Sequence, residues 1–295
     1  MSKKTGIPER LIYQLRISIE KRIGRQLVAP ESVKNPSSRV GISHPGRICL
    51  DIKDGVVLVG GDGHYWPGPA STAHRAFVKF CKIHKPAVVV MNGDAFDGSG
   101  ISRHPPIGWE SLPTVQEELE AVQERLSEIE KAAFKARKIW TLGNHDGRFE
   151  TRLATVAPEY GRVHGFHLKD HAPQWETAWA CWINDSVVVK HRYKGGVHAS
   201  HNNTIAAGKS MVTNHLHSAK VTPYNDYNGV RYGVDTGCIA DPDGMQFLDY
   251  TEDSPKNWRS GFCVLTFKAG ELLLPELVLV WDEKTVQFRG ELINV

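Results

Sequence analysis

The chain has 295 residues, 41% of them hydrophobic and 23% charged, enough for a sizeable core beneath a well-solvated surface. No apolar run approaches the roughly 18 residues of a membrane span, and MSKKTGIPER lacks the apolar centre of a secretory signal, so the reading is a cytoplasmic protein without a membrane partner. The net charge of +3 hides an asymmetry: residues 1–47 hold ten Lys or Arg against three Glu, a balance of +7, so residues 48–295 sum to −4.

The first pattern, IPERLIYQLRISIEKRIGRQ over residues 7–26, places Ile12, Leu15, Ile19 and Ile23 on one helical face. Arg16, Lys21, Arg22 and Arg25 lie elsewhere on it, which predicts a basic amphipathic helix. APESVKNPSSRVGISHPG then reads as a linker. The expected division is a basic helix and linker over residues 1–50 and a globular domain over 51–295.

From residue 55, short apolar runs alternate with helical patterns: GVVLVGGD, a segment near 69–84, PAVVVMNGD, a long helix, and KIWTLGNHD. The long helix spaces Val115, Leu119, Val122, Leu126 and Ile129 four and three apart, and Thr114 with Glu117 fits a capping box. Apolar runs separated by helices predict βαβ units with buried strands. The later part, with VVVKH, SMVTNH, RYGVDTG, GFCVLTF and ELVLVW, is richer in strands. The five cysteines never form a CxxC pair and read as reduced core residues.

The ends of these runs repeat one chemistry. GVVLVG leads to Asp62 and His64, AVVVMN to Asp94 and Asp97, IWTL to Asn144, His145 and Asp146, VVVK to His191, and MVTN to His215 and His217. Alone, GNHD is an ordinary turn and HxH on a strand occurs by chance; the repetition is what points to a site. Strand exits in layered α/β proteins are where ligands bind. Imidazole and carboxylate suit borderline divalent metals, and the number of ligands exceeds one tetrahedral site but serves two ions if a carboxylate bridges them.

In this order, DxH, GDxxD, GNHD, a lone His and a closing HxH, the sequence resembles the calcineurin-like metallophosphoesterases over about residues 55–220. GDAFDGSGISRHP and NWRSGF further resemble the phage-type members. The resemblance implies an α/β fold, a two-sheet β-sandwich flanked by helices with a dimetal site at the strand ends. It implies that Asp62, His64 and His217 hold one ion, that Asn144, His191 and His215 hold the other, and that Asp94 bridges them. His145 would face the substrate, its ring held by Asp146 or Asp97. The implied cofactor is a pair of divalent ions, manganese, zinc, iron or nickel, with manganese favoured.

Two positions depart from the family pattern, which has Gly after the lone His and before the HxH, where this chain has Arg192 and Asn214. Asn tolerates left-handed backbone, which makes Asn214 a mild change. Arg192 leaves His198 and His201 in GGVHASHNN as competitors of His191, which is preferred because it directly follows a strand-like run.

The implied activity is phosphoester hydrolysis through a metal-bound hydroxide, with a phosphodiesterase acting on nucleotides or nucleic acid as the first reading. A phosphomonoesterase is the second. Its serine/threonine phosphatase branch is disfavoured because that branch carries an Arg after the second motif and GNHE, where this chain has Gly98 and GNHD. A non-catalytic module of the same fold is the third. Arg103, His104 and Arg148 are candidate phosphate contacts, Tyr65, Trp66 and Trp109 a candidate wall for a base, and the basic N-terminal arm a candidate nucleic-acid contact.

Overall fold

The first element of the computed structural model, α1 (Glu9–Ile23), follows Pro8 and stops at Gly24, whose left-handed φ of 67° no β-carbon opposes. It is shorter than the 7–26 pattern, and its Leu15 and Ile19 are 49% and 45% exposed. The structure describes residues 8–24, 44–104 and 111–295. The predicted linker and Arg25 lie outside them. The chain divides into two units, Met1–Pro45 and Gly46–Val295.

The larger unit begins earlier than the sequence reading put it. Arg47–Leu50, assigned there to the arm, is strand β1, paired in parallel with β6 (Ala180–Ile183). The Arg47 guanidinium lies 4.1 Å from the Trp182 ring centroid. Arg47 therefore belongs to the body, and the arm is one positive charge poorer.

One sheet is built on β2 (Gly55–Gly60), β3 (Val88–Met91), β4 (Arg137–Thr141) and β5 (Glu176–Ala178), all parallel. The crossovers contain α2 (Thr72–His84) and α3 (Val115–Ala132), the helices the sequence predicted. Thr114 Oγ1 accepts from Glu117 N at 3.3 Å and Glu117 Oε2 from Thr114 N at 2.8 Å, completing the capping box. On the far side of β2 lie the antiparallel β11 (Gly261–Lys268), β13 (Glu276–Val280), β14 (Thr285–Phe288) and β15 (Glu291–Asn294), with β12 (Glu271–Leu272) paired to β11. The second sheet runs β1, β6, β7 (Val187–Val189), β8 (Ser210–Thr213), β10 (Gly229–Asp235) and β9 (Lys220–Asp226). Three further helices are α4 (Asp146–Val156), α5 (Ala199–Ala207) and the single turn α6 (Leu248–Thr251).

Side-chain alternation along the strands separates two cores. Val57, Val59, Val88, Val90 and Ile139 pack with Ile183, Val189, Val212 and Val234 between the sheets. Their neighbours Leu58, Val89, Met91 and Trp140 face the helices and meet Phe77, Phe80, Leu126 and Ile129. Truncating a fully buried ring such as Phe77 or Trp140 to alanine costs about 3–5 kcal/mol, so the strand ends sit on a stiff base.

Candidate metal centre

The loops leaving β2, β3, β4, β7 and β8 converge on one rim. The first two are laced together: Asp62 N donates to Gly93 O at 2.8 Å, His64 N to Asp94 O at 2.9 Å, and Tyr65 N to Ala95 O at 2.9 Å. Asp62, His64, Asp94, His215 and His217 all have positive φ, between 38° and 74°. Such backbone costs about 1–3 kcal/mol per residue and persists only where the surroundings impose it. Two glycines make the convergence possible. A β-carbon on Gly143 would stand 2.0 Å from Asp94 Oδ1, and one on Gly93 would stand 2.4 Å from His191 Nδ1.

Ligand-type atoms gather in three groups: Asp62 with His64 and His217, Asp94 with His191 and His215, and a third that shares His64, His64 with Asp97 and His145. In the first, His217 Nε2 is 3.4 Å and His64 Nε2 3.8 Å from Asp62 Oδ1. In the second, His191 Nε2 is 3.0 Å from Asp94 Oδ2 and 3.2 Å from Asn144 Oδ1. His191 Nδ1 also lies 3.8 Å from Asp62 Oδ1, so the clusters touch.

The outer contacts set which nitrogen is free. His64 Nδ1 donates to Asp97 Oδ1 at 2.7 Å, which turns Nε2 toward Asp62. His191 Nδ1 donates to Asn92 O at 2.9 Å, leaving its Nε2 toward Asp94 and Asn144. Asp62 Oδ1 and His64 Nε2 are buried without a hydrogen-bond partner, a state costing about 1–3 kcal/mol per group unless something else fills it. Buried, orphaned imidazole and carboxylate donors fit a divalent cation.

Electrostatics agree. Burial alone would raise the Asp62 carboxyl, yet His217 and His191 hold it well below the usual range. Burial likewise opposes charge on His64 and His191, but the adjoining carboxylates raise them to about 10 and about 9. The site thus draws in positive charge. Burial and the neighbouring His191 lower His215 to about 4, leaving it neutral.

His145, between β4 and α4, adjoins the first cluster through His64, their ring centroids 4.7 Å apart. Its Nδ1 donates to Asp97 Oδ1 at 2.9 Å, and Arg148 Nη2 donates to its Nε2 at 3.2 Å. Asp97 therefore holds both the His64 and His145 rings. The alternative holder, Asp146, does something else: its carboxylate accepts from Asp94 N and Gly143 N at 2.8 Å, Phe96 N at 3.1 Å and Trp140 Nε1 at 3.0 Å. It ties the loops together from beneath, and its expected catalytic role is corrected to a structural one. Burial, with Asp94 close by, raises its carboxyl to about 7.

The departures from the family pattern resolve in the same geometry. Arg192 is exposed and lies outside the positive-φ region, so no glycine is needed there. Asn214 is not left-handed either: its buried amide donates to Gly237 O at 2.8 Å and to Thr236 Oγ1, and accepts from Asn92 Nδ2 at 2.7 Å. His198 is exposed at the start of α5 and His201 packs edge-on against Tyr224, leaving His191 as the histidine in the cluster.

Two cavities open on the centre. One, of about 420 Å3, exposes His64, His145 and His217 beneath an apolar rim of Trp66, Met245, Phe247, Tyr250 and Trp258. The other, of about 820 Å3, reaches Asn144 and His191 and is lined by Arg103, Arg148, Arg152, Lys190 and Arg192. His104 and Arg148 line both. Tyr65 faces neither: it is buried, its OH bonded to His74 Nδ1 at 3.0 Å, so its expected stacking role is withdrawn. Trp109 lies outside the described residues.

Sequence reasoning missed the rim residues Met245, Phe247 and Tyr250; the signal available was apolar side chains in a Gly- and Asp-rich loop between strands. It also missed Glu118 of α3, buried, which accepts from Gly98 N at 2.7 Å and Ser99 N at 3.0 Å and so fixes the loop bearing Asp97.

A family model described as calcineurin-like phosphoesterase matches residues 55–231, and the chain belongs to that family. With the clustered ligands, this makes it a metal-dependent phosphoester hydrolase in general class. Among solved structures it is similar to wild-type Vps29 complexed with zinc from Entamoeba histolytica, at 14% identity over 81% of this chain and 98% of that chain, with a TM-score of 0.43. No curated protein matches it. No described helix is long and apolar enough to cross a membrane.

Proposed function

We propose that the chain hydrolyses phosphodiesters of nucleotides or nucleic acid at a centre of two divalent ions. Asp62, His64 and His217 would hold one, Asn144, His191 and His215 the other, and Asp94 would be shared. Carboxylate, amide and imidazole without thiolate suit manganese, zinc, iron or nickel, of which the family resemblance favours manganese. When bound, such a pair supplies charge neutralisation at the phosphoryl group and lowers the pKa of water.

The chain's own groups do the rest. Asp97 orients the His145 ring, which lines the cavity; in its imidazolium form, with Arg148 moved off Nε2, His145 would give its Nε2 proton to a departing alkoxide and become neutral. Arg148, beside Nε2, can move onto a phosphate oxygen, an anionic partner better matched to a guanidinium.

The observation that carries the diester reading is the pair of cavities flanking the centre. A diester has a substituent on each side of phosphorus, whereas a monoester has one. The test is the metal-reconstituted full chain on bis-p-nitrophenyl phosphate and p-nitrophenyl phosphate, with kcat/KM expected at least tenfold higher for the diester. The reverse ranking would assign a monoesterase. No turnover with manganese, zinc, iron or nickel would leave a binding module.

A further inference from the structure

The larger cavity collects positive charge from three separate parts of the chain. Arg103 comes from the loop after β3, Arg148 and Arg152 from α4, and Lys190 and Arg192 from the loop after β7. No Asp or Glu lines it, and among the described residues Arg103, Arg152, Lys190 and Arg192 form no ion pair.

Helix α4 shows that the arrangement is directional. Arg148, Thr151, Arg152 and Thr155, at i, i+3, i+4 and i+7, line the cavity, while Phe149 and Leu153 on the other face pack into the helix-side core. Crowding five cations without counter-charges is unfavourable, and a chain of phosphates would relieve it. Two aromatic rings share the cavity, Trp179 and Tyr193, which are 51% and 50% exposed. Lys190 Nζ lies 5.9 Å from the Tyr193 ring centroid. Exposed rings interleaved with unpaired cations are what a single strand needs, since bases stack on the rings while the backbone meets the charges.

We propose that this groove holds a single-stranded polynucleotide, the strand running from the metal-ligand cluster over Arg152 and Arg192 with bases on Trp179 and Tyr193. The inference rests on the phosphodiesterase reading for the reaction, and on the groove alone for binding.

Binding is measured by fluorescence anisotropy of a labelled 20-nucleotide single strand with phosphorothioate linkages, using the metal-reconstituted full chain. Arg152→Glu with Arg192→Glu should weaken binding at least tenfold and flatten the slope of log K against log salt by roughly 1.4, about 0.7 per lost phosphate contact. Both positions are exposed, and Arg152→Lys with Arg192→Lys, which keeps the charges, should stay within threefold of wild type. Binding by the reversed variant within twofold of wild type would overturn the proposal. So would a polyglutamate of equal charge competing as well as the unlabelled strand, because stacking would then contribute nothing. Bis-p-nitrophenyl phosphate separates the two readings: lost strand binding without diester turnover in the wild type leaves the groove and removes the phosphodiesterase. Diester turnover with unaffected strand binding does the opposite.

Discussion

The two cavities beside the metal-ligand cluster share His104 and Arg148, yet their walls are of opposite character. On the His64 and His217 side the wall is Phe247, Trp258 and their neighbours, closely packed: the His217 and Trp258 ring centroids are 4.5 Å apart, and His64 and Phe247 5.1 Å. On the Asn144 and His191 side the wall is guanidinium and ammonium. An apolar wall selects by shape and lowers the local dielectric around the ligands, while a basic wall selects by charge and weakens with salt. A substrate that uses both is apolar or aromatic at one end and polyanionic at the other, a description that fits a nucleotide at the end of a strand.

The largest change should come from the part both walls depend on. Asp94→Asn removes the carboxylate that faces His191 and receives His145 N at 2.8 Å, and leaves neighbouring cations without a shared anion. Hydrolysis should be abolished on every ester, with less than one full complement of metal retained by elemental analysis. Normal turnover with two equivalents bound would end the dimetal model.

The next effect should arise at the junction of the two walls. His145→Ala should keep the metal content and lose about 10²–10⁴ in kcat on an alkyl ester, the usual scale of general acid catalysis. With a p-nitrophenyl leaving group the loss should shrink, because that group departs without a proton. Equal losses on both esters would remove the acid role and leave His145 as a ring wedged against His64, its centroid 4.7 Å away.

A smaller and one-sided effect tests the apolar wall. Tyr250 is exposed and lines only the smaller cavity, so Tyr250→Ala should not endanger folding. If a base stacks there, KM for a nucleoside-bearing diester should rise about 5–30-fold, equivalent to about 1–2 kcal/mol of stacking. The inhibition constant of dimethyl phosphate, used as a competitive inhibitor, should shift far less, and an equal shift would show that the wall does not read aromatic groups.

The smallest effect is expected from the arm, the other basic region. Arg16→Glu with Arg22→Glu reverses charge on α1 while sparing its apolar positions, and should weaken single-strand binding only two- to threefold. Arg16 already pairs with Glu20 at 2.8 Å, so less of its charge is available to a phosphate. A loss larger than that from reversing Arg152 and Arg192 would make the arm, and not the groove, the principal polyanion contact.

Much of this centre was legible in one dimension. Asp62, His64, Asp94, Asn144, His191, His215 and His217 each follow a short apolar run, and the physical reason they could be read is that a buried parallel strand ends where its exit side chains become available to a ligand. The helices behind the sheet were legible for a similarly local reason, since α3 carries both its apolar stripe and its capping box within its own residues. The basic composition of the first residues was also plain, although Arg47 belongs to a strand that no local pattern marked, because β1 is four residues long and takes its stability from pairing with β6.

Tertiary structure decided what depended on partners distant in sequence. Whether Asp97 or Asp146 holds His145 could not be settled by spacing: Asp146 lies next to His145 in the chain, yet its carboxylate turns down to Trp140 and three backbone amides, while Asp97 arrives from the loop after β3. The sequence preferred His191 over His198 and His201 because it follows a strand-like run, and the fold supplied the partner that spacing could not, Asp94 Oδ2 at 3.0 Å. The opposed walls were invisible for the same reason, as Arg103, Arg152 and Arg192 are scattered among exposed positions, and only the closing of the fold brings their charges to one groove. Sequence periodicity reports what a side chain does within its own element; charge and hydrogen-bond geometry are set by what the other elements bring to it.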